Sequence, residues 1–203
     1  MLVHLCVPSE VSRLENALAR GADALWFEGN AAAAAGALRA AREHPASRPK
    51  LYVRLDGHGE TIEDDLNELM PAAPDGIVLP VRNGADVEHL GVKLAVREAE
   101  LGLEDGMTEI IGLVTAPAAI FQLATFATSS QRLAALGFDT QACAAALGVN
   151  DLDSSPLNLA RNLTLLAAKA AGIPALLIIE ETESLAAASL AAKRDGFDGI
   201  VMR

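Results

Sequence analysis

The sequence predicts an α/β protein built as one compact (β/α)8 TIM barrel over residues 1–203. Strand-like and helix-like segments alternate from one end of the chain to the other. The strand candidates are continuous apolar runs, the pattern of parallel strands covered on both faces. Eight such runs can be counted, and eight βα units close a barrel. A doubly wound dinucleotide fold is the alternative. Its first turn is normally glycine-rich, whereas the first turn here reads VPSEVS, with no GxGxxG.

The strands are expected at 2–7, 24–27, 51–55, 76–79, 109–115, 133–138, 175–179 and 199–202. The first helix, 9–20, carries Val11, Leu14, Ala17 and Leu18 on one face and stops at Gly21, a residue that tolerates the left-handed helix end. The second, 31–43, is nearly all alanine, with Arg39 and Arg42 outside. TIEDDLNELM opens the third, with Thr61 and Asp64 at capping-box spacing. The helix at 157–171 ends at Gly172 with Pro174 just beyond, and the helix at 182–194 ends before Gly196. The chain stops after strand eight, so a closing eighth helix is missing. Self-association is expected to cover the apolar surface this leaves beside the first and last strands.

Composition narrows the function. Aromatic residues are only 3% of the chain, so Leu, Ile, Val and Ala must fill the core, and alanine-rich helices pack closely on a sheet. The net charge of −11, with no basic cluster, repels phosphate backbones and argues against nucleic acid. No stretch is long and apolar enough to cross a membrane, and the N-terminus lacks the basic region of a signal peptide. A cytoplasmic protein is expected. Cys6 and Cys143 make neither a disulfide framework nor a CxxC pair. Cys6, inside an apolar strand, reads as a reduced buried thiol.

In a barrel, chemistry sits where strands end. The candidate mouth residues are Glu28, Asn30, Asp56, Thr115 and Asp139, with Arg54 among them. Arg54 follows LYV and is expected to point into the mouth. A half-buried guanidinium seeks a bidentate anion, either a substrate carboxylate or a neighbouring acid such as Glu28. Mg²⁺ needs carboxylates held close on adjacent strands, and Glu28, Asp56, Asp139, Glu180 and Glu181 form no spacing signature for one. His4 reads as a satisfied core histidine. His58, in DGHGE, reads either as a surface loop residue or as an acid–base group over the mouth.

The stretches MLVHLCVPSE, RGADALWFEGN, LYVRLDG, DDLNEL, DGIVLPVRNGADVEHL, IIGLVTAPAA, LARNLTLLAAKAAGIPA and RDGFDGIV occur in the order of the citrate lyase β-subunit-like aldolases. The chain resembles that family, which includes malyl-CoA lyases and hydroxy-oxo-acid aldolases, over essentially its whole length. The resemblance implies a trimeric or hexameric homo-oligomer that makes or breaks a carbon–carbon bond next to a carboxylate, with Mg²⁺ polarising the oxygen where enolate charge develops. It assigns Arg54 to the grip on the carboxylate of an oxo acid or acyl-CoA. The family's Asp-Leu-Glu-Asp after strand two corresponds to Glu28, Gly29, Asn30 and Ala31, and its Leu-Pro-Lys to Leu79, Pro80 and Val81. Its metal-binding glutamate falls on Val114, with Thr115 kept. Its metal-binding aspartate falls on Ala142 in an ungapped match, or on Asp151 in a looser one. The family's chain continues past strand eight, and the barrel here is expected to lack that C-terminal extension, the sequence ending at Arg203.

Two readings follow. One is a carbon–carbon lyase with a rebuilt site, in which Glu28, Asp56 or Asp139 does metal or acid–base work. The other is a non-catalytic barrel that keeps Arg54 for carboxylate binding or assembly.

Overall fold

A computed structural model describes residues 1–44, 49–56, 61–180 and 185–203. Eight parallel strands close into a barrel in sequence order: β1 (Leu2–Pro8), β2 (Ala24–Glu28), β3 (Lys50–Arg54), β4 (Gly76–Pro80), β5 (Glu109–Val114), β6 (Leu133–Asp139), β7 (Ala175–Ile179) and β8 (Gly199–Met202). The ring closes through β1 and β8, with His4 opposite Val201. Among the described residues the helices are α1 (Val11–Ala19), α2 (Ala31–Glu43), α3 (Thr61–Leu69), α4 (Gly84–Leu101), α5 (Pro117–Ile120), α6 (Thr140–Leu147), α7 (Ser155–Ala170) and α8 (Leu185–Asp195), with short 3₁₀ turns at Met70–Ala72 and Leu123–Thr128.

Most boundaries lie within a residue or two of the sequence expectation, and the exceptions have local causes. The first helix starts at Val11 instead of residue 9. Ser9 is held at the strand end, where its N–H and hydroxyl both donate to the Glu28 carbonyl, at 2.9 and 2.8 Å. α7 starts at Ser155 instead of residue 157, because Pro156 is tolerated in the first turn, where no helical partner exists for an N–H. The expected helix start at residue 182 lies outside the described residues.

Alternation along each strand makes two cores. Trp26, Tyr52, Val78, Ile111, Leu113, Ala135, Leu176, Ile178 and Val201 fill the barrel. The other parity, including Leu25, Phe27, Val53, Ile77, Val114, Phe138 and Ile200, packs against the helices. Close approach is built in. Ala34, Ala35, Ala37 and Leu38 of α2 are fully buried against the sheet. A Cβ on Gly76 would lie 2.6 Å from the Tyr52 ring, so only glycine fits there.

One device repeats at the N-terminal end of the barrel. Asp23, Asp75 and Asp198 precede β2, β4 and β8, and each accepts an N–H at the start of a neighbouring strand: Val3 at 2.7 Å, Leu51 at 2.7 Å and Ala175 at 2.8 Å. These bonds tie adjacent strands in register below the last ladder hydrogen bond. None of the helices is long and apolar enough to cross a membrane.

Candidate functional site at the barrel mouth

The face that fills the barrel emerges at the C-terminal rim as charge. Glu28 lies two residues past Trp26 on β2, Arg54 two past Tyr52 on β3, and Asp139 opposite Ile178 at the end of β6. Arg203 lies two past Val201, and its backbone N–H donates to the Ile179 carbonyl at 3.0 Å. Period-two alternation turns all four side chains inward.

They form a ring of alternating charge. Arg54 Nη1 lies 3.2 Å from Glu28 Oε1 and 3.8 Å from Asp139 Oδ2. Arg203 Nε lies 3.5 Å from Glu28 Oε1, and its Nη1 3.6 Å from Asp139 Oδ2. Arg54 Nε also donates to Asp56 at 3.3 Å. The ring has a fixed side and a loose side. The Asp139 side chain is 1% exposed, and its Oδ1 accepts the Ala142 N–H at 2.9 Å as the cap of α6. Its Oδ2 is buried and makes no hydrogen bond. Glu28 is 27% exposed and Asp56 84%, so both can turn to water, whereas Arg54, at 10%, cannot leave.

Beneath the ring, half-buried Cys6 faces the same axis. Burial and then the Glu28 carboxylate push its thiol well above the ordinary range, so it is an inert thiol. Cys143 is buried on the inner face of α6, where it donates to the Val114 carbonyl at 3.6 Å; burial and Asp139 push its thiol up to about 12.

The other sequence candidates have different places. Asn30 caps α2, accepting the Ala33 N–H at 2.8 Å just past Gly29 with φ +135°, so Glu28-Gly29-Asn30 is a tight strand-to-helix turn with only the glutamate facing the mouth. Thr115 is half-buried just past β5. Val114 packs outward against the helix layer, and Ala142, the position of the ungapped match, lies in the first turn of α6 beside Asp139 and carries no donor side chain. The rim acid on β6 is Asp139, three residues earlier. Glu180 is exposed past β7, and His58 and Glu181 lie outside the described residues. Sequence reasoning missed Arg203, although Gly199, Val201 and Arg203 share one strand parity.

The donors at the mouth suit an anion better than a divalent cation. Glu28 Oε1 and Asp139 Oδ2 each meet both guanidiniums, so a cation held by these oxygens would face two positive charges. Among the described residues no group of three or more His, Cys, Asp and Glu could hold a metal. Mg²⁺, implied by the family resemblance, does not fit these residues.

Fold and site together define a (β/α)8 barrel with charged side chains gathered at the C-terminal mouth. The HpcH/HpaI aldolase/citrate lyase family model matches residues 6–203. The chain belongs to that family. Solved structures share its fold. A HpcH/HpaI aldolase/citrate lyase family protein from Burkholderia cenocepacia J2315 superposes with a TM-score of 0.83 at 18% identity, over 99% of this chain and 87% of that one. RipC from Yersinia pestis gives 0.74 at 21% identity, over 100% and 88%. Malate synthase from Haloferax volcanii, solved as a magnesium/glyoxylate complex, gives 0.78 at 15% identity, over 98% and 70%. At these identities the likeness speaks for the fold alone. No curated protein sequence matches the chain significantly.

Proposed function

We propose that this chain is a carbon–carbon lyase of the aldolase class, acting at its barrel mouth on an oxo acid or acyl-CoA whose carboxylate Arg54 grips. One observation carries this reading. Arg54 is a nearly buried guanidinium on the barrel axis, and its strongest partner, Glu28, is a carboxylate that can swing to solvent. A ligand carboxylate offers the same two oxygens and can take the place of Glu28 at little electrostatic cost. The family's lyase chemistry agrees with such a ligand.

Calorimetry tests the grip. Pyruvate and oxaloacetate bind the wild type, and Arg54→Ala weakens binding by roughly a hundredfold or more, the scale of a charge-assisted bidentate pair. Circular dichroism of the variant stays native, because the barrel core is untouched. Unchanged affinity would reduce Arg54 to an ion-pair partner. The second reading, a carboxylate-binding barrel without turnover, draws support from Val114 and Ala142, which bring no metal donor to the mouth. It predicts carboxylate binding with no cleavage of malyl-CoA, citramalyl-CoA or hydroxy-oxo acids.

We also propose that the chain self-associates, as a trimer or a multiple of one. Phe121, Leu159, Leu166 and Leu190 are large apolar side chains left open on the helical surface, and such surface is costly to leave in water.

A further inference from the structure

We infer that Arg203 supplies the second positive charge at the mouth, in place of a divalent cation, and that Asp139 Oδ2 is the proton acceptor for carbon–carbon cleavage. This inference rests on the carboxylate-gripping reading above. Arg203 reaches the same two acids as Arg54, from the end of β8, with β1 and β2 between it and β3. Asp139 is the ring's fixed member: buried, anchored through Oδ1 to α6, and with Oδ2 free of hydrogen bonds yet within 4 Å of both guanidiniums.

Charge is conserved through such a step. When a ligand carboxylate replaces Glu28, the two guanidiniums face the ligand carboxylate and Asp139, with exposed Asp56 on Arg54 Nε throughout. In a hydroxy-oxo acid, Asp139 Oδ2 takes the hydroxyl proton. The hydroxyl oxygen becomes a carbonyl as the adjacent carbon–carbon bond breaks, and the bond's electron pair passes into the oxo group as an enolate. Asp139 is then neutral and the enolate takes over its charge, so the number of anions facing the two guanidiniums is unchanged. The mouth therefore meets the developing enolate with charge already in place, which is how preorganised sites lower barriers. No oxidant, reductant or metal enters the balance.

Oxalate is the probe, because its two carboxylates present the carboxylate and enolate charges together. Asp139 is faced by Arg54 from β3, Arg203 after β8, Cys6 from β1, Cys143 from α6 and, across the guanidiniums, Glu28 from β2. Calorimetry is run with EDTA present, in buffers of different ionisation enthalpy. Oxalate binding by the wild type takes up one proton per site, and binding tightens as pH falls. Glu28→Gln keeps the proton uptake, whereas Asp139→Asn, which preserves the α6 cap, abolishes it. Arg203→Met weakens oxalate by roughly tenfold or more, and Arg203→Lys recovers part of the loss. Binding without proton uptake, uptake that persists in Asp139→Asn, an unaffected Arg203→Met, or a requirement for Mg²⁺ each overturns the inference. If those results came with pyruvate binding still lost in Arg54→Ala, the proposed function would stand alone. If wild type bound neither pyruvate nor oxalate, both would fall.

Discussion

Single residues decide what this barrel tolerates. Deep in the barrel, Trp26 Nε1 donates to His4 Nδ1 at 3.0 Å, and the imidazole stacks on Tyr52. That bond requires Nδ1 without a proton. Burial, opposed in part by Asp23, lowers the His4 pKa from 6.5 to about 4. A group with a depressed folded-state value stabilises fully above its unfolded value and loses that contribution as pH falls. Stability therefore declines between pH 6.5 and about 4, by roughly 3 kcal/mol at the limit. Chemical denaturation across that window checks it, and a His4→Gln variant shows a flatter profile. The sequence made His4 legible as a core histidine because an apolar strand surrounds it. Its tautomer was not legible, because that depends on Trp26, which sits on another strand.

At the level of elements, one buried acid holds three segments together. Glu98 of α4 is fully buried, yet it accepts both arms of Arg132 at 2.9 and 2.8 Å and the N–H groups of Gly106 and Thr108 at 2.9 and 2.8 Å. Burial alone would raise its pKa; the Arg132 and backbone hydrogen bonds outweigh that and hold it below the usual carboxylate range. Glu98→Ala leaves Arg132 without its buried partner and should cost about 3–5 kcal/mol in urea denaturation, with Glu98→Gln costing less. Strand positions were legible because apolar runs mark parallel strands directly. Which rim residues meet was less legible. Val114 and Thr115 are neighbours in sequence, yet Val114 lies between sheet and helices. An ungapped match places residues along the chain but does not fix which face each presents. Asp139 illustrates the same limit, since its inward direction follows from its pairing with Ile178 on β7.

On the scale of the whole molecule, the closed ring is what brings Glu28, Arg54, Asp139 and Arg203 together from positions far apart in sequence. An open sheet would separate β8 from β2 and dissolve the charge ring. Light scattering tests the self-association read from the exposed apolar side chains: a mass of three or more protomers is expected, and Phe121→Glu together with Leu159→Glu should lower it. A monomeric wild type would contradict that expectation. The most direct test of the account is a crystal structure of the protein grown with pyruvate. The account predicts the pyruvate carboxylate on the Arg54 guanidinium, with Glu28 turned out to solvent and Asp139 unmoved. Pyruvate bound elsewhere, with the contact between Arg54 and Glu28 intact, would contradict it.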